Sequence, residues 1–511
     1  MDDVSEGDPM TRLREGGVCL LTMAGVFFFW PSLRATADSP QQTAGEVLAR
    51  AGVQGGLVVH LGCGDGRLTA ALRADDRFIV HGLAVDTERV AQARKTIAEL
   101  GLYGPVSVDR LTANRLPYAD NLAALVVVEE PSLVPMKEVL RVLAPGGVAC
   151  VREGAGWKRT IKPRPKNIDD WTHYLHDASG NAVAADRVVG PPKRVRWIAG
   201  PLWGRSHEWN PSLCALVAGG GRLFYMMDDG LIGLPDTRLP SRWSLYARDA
   251  FSGKLLWKRP VPNWGWREWN TRGMWSAPLT LNRRLVTDGR QVFVTLGYKA
   301  PVSVLDAATG RTIRTLAGTD GTDELLLSDG VLFLLVRERL SVAQAPKKKP
   351  RRRRRLNPHE WSISAPGRGS VVAVDAATGQ TVWRTEPQTV SVLTLAALNG
   401  RVCFYGEEGI VCLDAKTGKR LWSTPCRAKR GSRHSAGTLV LYQDVVLFTS
   451  GEGLVALSAR TGKKLWTGPK VAGPAVTQPP DLFVADGLVW SGYVVGTYSR
   501  EKTSVEREGR D

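Results

Sequence analysis

Hydrophobic positions divide the chain into two regions with different periodicities. In the first, runs typical of buried strands alternate with segments of helical spacing, at residues 57–61, 68–72, 78–85, 87–100, 122–128, 132–143 and 148–151. Strands that alternate with helices at these lengths predict a parallel sheet with helices on both faces. We therefore expect an α/β doubly wound domain over residues 40–155.

The second region repeats a turn motif, Asp-x-x-x-Gly-x-x-x-Trp, between alternating apolar strands. The copies are Asp249-Gly253-Trp257, Asp306-Gly310-Arg314, Asp375-Gly379-Trp383, Asp414-Gly418-Trp422 and Ser458-Gly462-Trp466. A repeat of about 40–45 residues with four short strands is typical of a β-propeller blade. The pattern predicts an all-β propeller over residues 171–498. This length allows about seven or eight blades, and the five marked units leave open whether insertions account for the difference or the ring is incomplete.

Composition narrows the choice of partners. The 511 residues carry 68 basic and 50 acidic side chains, a net charge of +18, but eight of the positive charges lie within residues 347–355. Like charges at this density indicate a solvated loop, and the absence of interleaved aromatic residues argues against specific recognition of nucleic acid. The seven cysteines form no Cys-x-x-Cys spacing, which argues against a structural zinc site.

Residues 1–39 have the layout of a secretory leader. Fifteen uncharged residues at 16–30 precede the small residues Ala35-Thr36-Ala37, but the first residues are acidic, and translation from Met10 would give a more typical signal. Fifteen residues fall short of the roughly 20 that cross a bilayer. We expect an exported, periplasmic or envelope protein without a transmembrane span in the mature chain, and a cytoplasmic protein is the alternative.

The first strand runs directly into a glycine-rich turn. Gly62-Cys63-Gly64-Asp65-Gly66 follows residues 57–61, and Asp86 ends the next strand 20 residues beyond Gly66. A strand that turns through glycines into a helix brings backbone N–H groups up to a ligand, and an acid at the end of the second strand can accept from ribose hydroxyls. The pattern therefore favours a cofactor that contains a nucleoside.

Four motifs in this region resemble class I S-adenosylmethionine-dependent methyltransferases: VVHLGCGDGRL, the acid of GLAVD, LPYADN and EVLRVLAPGG. The resemblance implies a Rossmann-like fold and S-adenosylmethionine as the cofactor. It also implies a cofactor-binding set consisting of Gly62, Cys63, Gly64, Asp65, Gly66, Asp86 and Thr87. Two positions depart from the family pattern, because His60 and Thr112 stand where acids are usual, and these departures weaken the expected affinity.

The acceptor of a methyl group leaves a weaker signal. Glu129 and Glu130 follow the strand at 122–128, at the edge where open α/β sheets bind ligands. Either carboxylate could act as a base or orient an acceptor. A solvated pair at a strand end is an equal alternative.

The repeats VVAVDAATGQTVW, IVCLDAKTGKRLW and LVALSARTGKKLW resemble the pyrroloquinoline-quinone-type propeller family. This family includes quinone-dependent dehydrogenases and scaffolds without a cofactor, so the fold does not determine the activity. The adjacent cysteine pair found in many quinone enzymes is missing. We therefore do not expect pyrroloquinoline quinone, and we expect an unidentified small molecule or protein to bind the propeller face.

Other polar clusters allow alternative interpretations. His173, His176 and Asp177 could bind a metal together with His207 and Glu208, although histidines that satisfy backbone groups are commoner, and no metal site is predicted. Trp264, Trp266, Trp269 and Trp275, interleaved with Arg267, Glu268 and Arg272, either line a ligand-binding mouth or pack between blades. Residues 156–170 are predicted to be a basic linker and residues 499–511 a polar tail.

Three functions remain compatible with these patterns. The leading one is S-adenosylmethionine-dependent methyl transfer by a protein whose propeller recognises a partner. The alternatives are an exported propeller scaffold without catalysis and a quinone-dependent oxidoreductase. Methyl transfer conflicts with export by the leader, because S-adenosylmethionine is a cytosolic cofactor.

Overall fold

A computed structural model of the chain describes most of it after residue 38. The described residues are 39–192, 194–200, 212–230, 240–265, 268, 279–337, 367–426, 439–450, 453–469 and 481–492. The predicted leader, the basic run at 347–355, the tail at 499–511, His207, Glu208 and three tryptophans of the aromatic segment (Trp266, Trp269 and Trp275) lie outside these residues.

The first region forms one six-stranded sheet with four helices. Its elements are α1 Pro40–Ala51, β1 Gly56–Leu61, α2 Arg67–Ala71, β2 Phe78–Ala84, α3 Thr87–Glu99, β3 Val106–Arg110, β4 Ala123–Val128, α4 Met136–Val142, β5 Leu143–Glu153 and β6 Gly156–Ile161. The strand order is β3-β2-β1-β4-β5-β6, with β1 to β5 parallel and β6 antiparallel. The order reverses between β1 and β4, the position at which such sheets bind ligands.

Buried apolar side chains cover both faces of this sheet. One cluster joins Val58, Val80 and Val127 to helices α1 and α3, and the other joins Val59 and Val126 to the opposite face. This two-sided burial explains the continuous apolar runs in the sequence, because a strand that is covered on both faces has no polar side. The doubly wound α/β fold is confirmed.

The sheet extends into residues that the sequence indicated as linker. Strand β6 pairs with β5 from Val148 opposite Ile161 to Glu153 opposite Gly156. As an edge strand it buries only Trp157 fully, and Lys158 reaches Glu153 at 2.9 Å. Its polar, basic composition therefore reflects an exposed edge.

The second region consists of consecutive antiparallel sheets. The first sheet contains β7 Leu213–Gly219, β8 Arg222–Asp228, β9 Trp243–Asp249 and β10 Leu255–Pro260. The second contains β11 Leu285–Thr287, β12 Gln291–Thr295, β13 Val302–Asp306 and β14 Thr312–Thr315. The third contains β15 Thr322–Ser328, β16 Val331–Arg337, β17 Gly367–Asp375 and β18 Thr381–Arg384, with β19 Gln388–Val390 paired to β17.

Three more sheets follow. The fourth contains β20 Ala396–Leu398, β21 Arg401–Tyr405, β22 Gly409–Asp414 and β23 Arg420–Pro425, and the fifth contains β24 Val440–Tyr442, β25 Val445–Thr449, β26 Leu454–Ser458 and β27 Lys464–Thr467. The sixth has two described strands, β28 Asp481–Ala485 and β29 Leu488–Gly492. The first strands of neighbouring sheets contact one another along the series, which is the blade arrangement that the repeat predicted.

The repeated tryptophan and glycine bind one blade to the next. The indole N–H of Trp422 donates to the carbonyl of Ala459 at 3.0 Å, and the ring lies against the turn of the next sheet, where a Cβ on Gly462 would approach it to 2.6 Å. Trp257 and Trp383 make the same contacts with the following turns. Glycine is therefore required at this turn both for its left-handed φ and for the space that the ring occupies.

Two variations of this contact were not evident in the motif. Arg314, which replaces tryptophan in the second sheet, donates to the carbonyl of Ala377 in the third. Trp197 precedes the first sheet and donates to Ala250 at 3.1 Å, so that this sheet also receives an indole on its turn. Trp466 of the fifth sheet is 41% exposed.

Residues 171–181, the axial segment, run across the first strand of every sheet in turn. Its hydrogen bonds reach Ala218 in β7, Thr287 in β11, Leu327 in β15, Ala397 in β20, Leu441 in β24 and Val484 in β28. The lengths of these bonds lie between 2.7 and 3.1 Å. The axial segment therefore bonds to all six sheets, to four through its backbone and to two through the side chains of His173 and Asn181.

Candidate functional site

The carboxyl ends of β1, β2 and β4 bring the predicted cofactor residues to one edge of the parallel sheet. The glycine turn follows β1, Asp86 and Thr87 follow β2, and Glu129 and Glu130 follow β4. The backbone continues the sheet pattern up to this edge, since Gly62 N–H donates to Leu83 O and Glu129 N–H to Leu61 O, both at 2.9 Å. We call the turn at residues 62–66 the glycine turn.

Glycine occupies the three positions of this turn for different structural reasons. All have left-handed φ angles, 83° at Gly62, 47° at Gly64 and 84° at Gly66. A Cβ on Gly66 would lie 2.9 Å from the backbone of Ala93 in α3, and one on Gly62 would lie 3.0 Å from Glu130. A Cβ on Gly64 would meet nothing within 4 Å. Gly62 and Gly66 are thus needed for packing, whereas Gly64 borders open space.

Cys63 faces the protein interior. Its side chain is buried, and burial raises the pKa of the thiol to about 11, with the nearby Glu129 and Glu130 adding to the effect. The thiol is therefore neutral at physiological pH. Gly82 makes room for it, because a Cβ at Gly82 would lie 2.9 Å from that of Cys63. A glycine in the middle of an apolar strand is a sequence signal of such close approach, and it could have located this contact in advance.

Asp86 is both a helix cap and a candidate ligand group. Its Oδ1 accepts from the backbone N–H of Glu88 at 2.8 Å, which fixes the carboxylate at the start of α3. The residue is exposed, and Thr87 begins the helix beside it. In the glycine turn, Asp65 accepts from Arg67 N–H at 3.0 Å. Both acids are therefore held by backbone donors at the carboxyl edge.

The two departures from the family pattern have different surroundings. His60 is fully buried below the glycine turn, where its Nδ1 lies 2.8 Å from Thr69 Oγ1 and its Nε2 lies 3.4 Å from Glu129 Oε2. The ring leaves the space at Gly64 open. A carboxylate from β4 thus reaches the imidazole that replaces the usual acid. Thr112 is exposed just after β3.

The two candidate acceptor residues are not equivalent. Glu130 forms an ion pair with Arg89 of α3 at 3.0 Å, with both side chains largely exposed. Glu129 is 34% exposed and lies beside His60. The two carboxylates thus have different partners, a guanidinium for Glu130 and a buried imidazole for Glu129.

The propeller contacts the opposite, amino edge of the α/β sheet. Before β1, a Cβ on Gly55 would lie 2.7 Å from Leu256 Cδ2 in β10. Before β4, the carbonyl of Asn121 accepts from Arg196 Nη1 at 2.8 Å. Since parallel strands carry their ligand-binding loops at the carboxyl ends, the propeller packs on the side away from the glycine turn.

The side chains of the histidines at 173 and 176 have separate partners, although their backbones pair. His173 is buried, accepts from Leu327 N–H at 2.9 Å through Nε2, and lies 2.8 Å from Thr172 Oγ1 through Nδ1. Burial lowers its pKa to about 3. His176 instead bonds Asp169 at 2.7 Å, with a left-handed φ of 71°. Among the described residues no group of three or more possible ligands is arranged for a metal.

Two cavities adjoin the repeats. One, of about 10 Å³, lies between the axial segment and the second and third sheets. The other, of about 530 Å³, lies at one end of the first sheet. Its lining includes Trp243, Trp264, Lys258, Asp229, Arg242 and Glu268. Two members of the predicted aromatic segment, Trp264 and Glu268, thus line a cavity, although Trp264 itself is buried.

Comparison with known families assigns the α/β region and the propeller region to different families. Residues 58–147 match the family described as methyltransferase domain, and residues 367–497 match the family described as outer membrane protein assembly factor BamB. The two matches fall in the regions whose motifs resemble methyltransferases and pyrroloquinoline-quinone-type propellers. None of the helices among the described residues is long and apolar enough to cross a bilayer.

Individual relatives match single regions. Methyltransferase GfsG from Streptomyces halstedii is 31% identical over 129 residues, which cover 23% of this chain and 46% of that protein, so the chain spans about half the length of this curated relative. BamB from Moraxella catarrhalis is 18% identical over 55% of this chain and 78% of its own, with a TM-score of 0.30. Geranyl diphosphate C-methyltransferase from Streptomyces coelicolor is 18% identical over 21% of this chain and 43% of its own, with a TM-score of 0.20.

Proposed function

We propose that the chain binds S-adenosylmethionine at the glycine turn and transfers its methyl group to an acceptor that approaches the carboxyl edge of the sheet. The observation that carries this proposal is the convergence of the glycine turn and Asp86 at the carboxyl ends of neighbouring strands, where a Cβ on Gly64 would meet no atom within 4 Å. The family match over residues 58–147 supports the same cofactor.

Each residue of the edge has a place in this proposal. When bound, the cofactor supplies an activated methyl group on a sulfonium, and the protein mainly has to position the reactants. The glycines let the backbone of the turn approach the methionine and ribose portion, and the oxygen of Asp86 that does not cap the helix accepts from ribose hydroxyls. Glu129 orients the acceptor.

The propeller's position favours an acceptor that is not delivered by the propeller of the same molecule. Its contacts with Gly55 and Asn121 hold it at the amino edge, opposite the cofactor residues. We infer that the propeller instead anchors the enzyme to a partner, leaving the carboxyl edge free.

Calorimetric titration of the full chain with S-adenosylmethionine tests cofactor binding. Asp86→Ala should weaken binding at least tenfold, equivalent to about 1.4 kcal/mol, because it removes the acceptor for ribose hydroxyls. Asp76→Ala is the matched control, since this aspartate is exposed at the amino edge and pairs with Arg73. Absence of binding by the wild-type chain, or equal binding by both variants, would contradict the proposal.

We infer that pyrroloquinoline quinone does not bind beside the axial segment. Among the described residues, this segment bonds to the first strand of each of the six sheets, and the cavity beside it has a volume of about 10 Å³. Small-molecule sites are usually some 300–1,000 Å³. The cavity beside the axial segment lies far below that range, which supports the inference.

The cavity of about 530 Å³ favours a second candidate function, the binding of a small polar ligand by the first sheet. Lys258 and Asp229, 2.9 Å apart, and Glu268 supply hydrogen-bonding groups, and Trp243 contributes an apolar wall. A sugar suits this mixture of groups. Titration with a panel of monosaccharides and oligosaccharides, followed by tryptophan fluorescence, should show saturable changes that Lys258→Ala removes. No response to any sugar would exclude this ligand class.

The leader, the BamB match and the cofactor point to different compartments. We propose that the chain is exported when its leader is cleaved after residue 37, and that it methylates in the cytoplasm when the leader is retained. N-terminal sequencing of the protein purified from cells distinguishes the two, because cleavage after residue 37 leaves Asp38 first.

A further inference from the structure

Two cysteines face each other across neighbouring strands of the fourth sheet. Cys403 in β21 pairs directly with Cys412 in β22. They are nine positions apart in the sequence, which is not a recognised cysteine spacing, so only the strand register shows that they are neighbours.

The hydrogen bonds at both ends of this strand pair show whether the two cysteines form a hydrogen-bonded or a non-hydrogen-bonded pair. At the turn, Gly406 N–H donates to Gly409 O at 2.8 Å, and at the other end Ala415 N–H donates to Gly400 O at 2.9 Å. Hydrogen-bonded and non-hydrogen-bonded pairs alternate along an antiparallel ladder. Counting inward from either end makes Cys403 and Cys412 a non-hydrogen-bonded pair.

This position places the two thiols close together. In a non-hydrogen-bonded pair the Cα atoms lie about 4.5 Å apart and the side chains converge on one face. A disulfide requires a Cα separation of about 4.4–6.8 Å. Both thiols belong to the same buried cluster, and the pKa of Cys403 is raised by burial and by a hydrogen bond with Cys412. The strand register thus places the two side chains on the same face as direct neighbours.

The ladders give the other described cysteines different partners. Cys150 lies opposite Val127 and Arg159, and Cys214 lies opposite Met226. Cys63 lies in the glycine turn, and Cys426 is partly buried after β23. Within the described ladders, the fourth sheet is therefore the place where one cysteine faces another.

We propose that Cys403 and Cys412 form a cross-strand disulfide when the chain folds under oxidising conditions. The oxidant is a small-molecule disulfide such as oxidised glutathione. A thiolate of one cysteine attacks it to give a mixed disulfide and one thiol, and the second cysteine then displaces the other thiol as the Sγ–Sγ bond forms. Both protein thiols lose their protons, and the oxidant is reduced to two thiols.

Burial determines when this reaction takes place. Both side chains are fully buried in the folded sheet, so a soluble oxidant reaches them before the fourth and fifth sheets pack together. Once formed, the bond is shielded from reductants. The modification therefore records the compartment in which the chain folded, and it does not depend on methyl transfer.

Mass spectrometry of the full chain tests this proposal. The chain is denatured, refolded with either oxidised or reduced glutathione, denatured again and alkylated with iodoacetamide. Trypsin releases both cysteines in a single peptide, residues 402–416. We expect this peptide to carry no adduct and to lack two hydrogens after oxidative refolding, and to carry two adducts after reductive refolding. The peptide that contains Cys150 should be alkylated under both conditions.

A double variant separates the bond from general effects of oxidation. Cys403→Ser with Cys412→Ser retains two small side chains at the pair, and its urea midpoint should not depend on the redox state of the buffer. The wild-type midpoint should be higher after oxidative refolding. Two adducts on the wild-type peptide after oxidative refolding, or a disulfide from Cys412 to Cys426, would overturn the proposal, and neither result would bear on cofactor binding.

Discussion

Replacing Gly64 and Gly66 separately by alanine distinguishes a ligand-binding glycine from a packing glycine. Both have left-handed φ angles, 47° and 84°, where an L-residue costs about 1–2 kcal/mol. Part of this cost, about 0.4–1 kcal/mol, is offset because alanine restricts the unfolded chain. We therefore expect about 1 kcal/mol of destabilisation from the backbone in each variant.

The two variants differ in what the new methyl group meets. At Gly66 it lies 2.9 Å from the Cα, Cβ and carbonyl oxygen of Ala93, and backbone atoms cannot move aside without shifting α3. Such overpacking typically adds about 1–3 kcal/mol. At Gly64 it meets no atom within 4 Å. Gly66→Ala should thus lose about 2–4 kcal/mol in total, and Gly64→Ala about 1 kcal/mol.

Hydrogen exchange and calorimetry together measure the two effects. Exchange of the α3 amides in the full chain reports the local unfolding free energy, and titration with S-adenosylmethionine reports binding. Gly64→Ala should retain protection of α3 but bind the cofactor at least tenfold more weakly, whereas Gly66→Ala should lose protection. Equal loss of protection in both variants, with cofactor affinity unchanged in Gly64→Ala, would refute the distinction.

Two further predictions concern the propeller. Trp422→Ala removes an indole that packs on the next sheet and donates to Ala459 at 3.0 Å, so it should lower the free energy of unfolding by about 2–3 kcal/mol, whereas Trp466→Ala should cost about 1 kcal/mol or less, as measured by urea denaturation. The pKa of His173 is about 3 in the folded chain and near its ordinary 6.5 when unfolded. The unfolded chain then binds an additional proton between these pH values, so stability falls as the pH drops from 6.5, and His173→Gln should reduce that slope in denaturation measured from pH 7 to 5.

Each of these predictions has a contradicting outcome. Equal losses from Trp422→Ala and Trp466→Ala would mean that the contact with the following blade contributes little. An unchanged pH slope in His173→Gln would show that the buried imidazole is not what makes the chain sensitive to acid. In that case other groups that titrate in the same range would have to account for the slope.

The sequence predicted the elements whose residues carry a periodic burial pattern. β1 and β4 are covered on both faces and β2 on one face, and their apolar runs located all three to within one residue. The edge strand β6 escaped prediction because only Trp157 among its residues is fully buried. Helix α4 begins at Met136, four residues later than the pattern suggested, because the chain first turns through Pro135, which precedes the helix.

The sequence predicted which residues form the candidate site, but it did not predict the contacts among their side chains. The glycine turn and Asp86 carry local signals, since strand, glycines and acid follow at fixed spacing. The ion pair of Arg89 with Glu130 and the contact of His60 with Glu129 depend on which strand lies beside β1, which the order of the chain does not reveal. The course of the axial segment could not be predicted either, because each of its bonds reaches a different sheet.

A crystal structure of the full chain with S-adenosylhomocysteine tests the central claim most directly. We predict that the nucleoside lies along residues 62–66, over Gly64, with both ribose hydroxyls within hydrogen-bond distance of the carboxylate of Asp86. A ligand bound elsewhere, or a glycine turn that remains empty at saturating concentration, would contradict the assignment of this edge as a methyltransferase site.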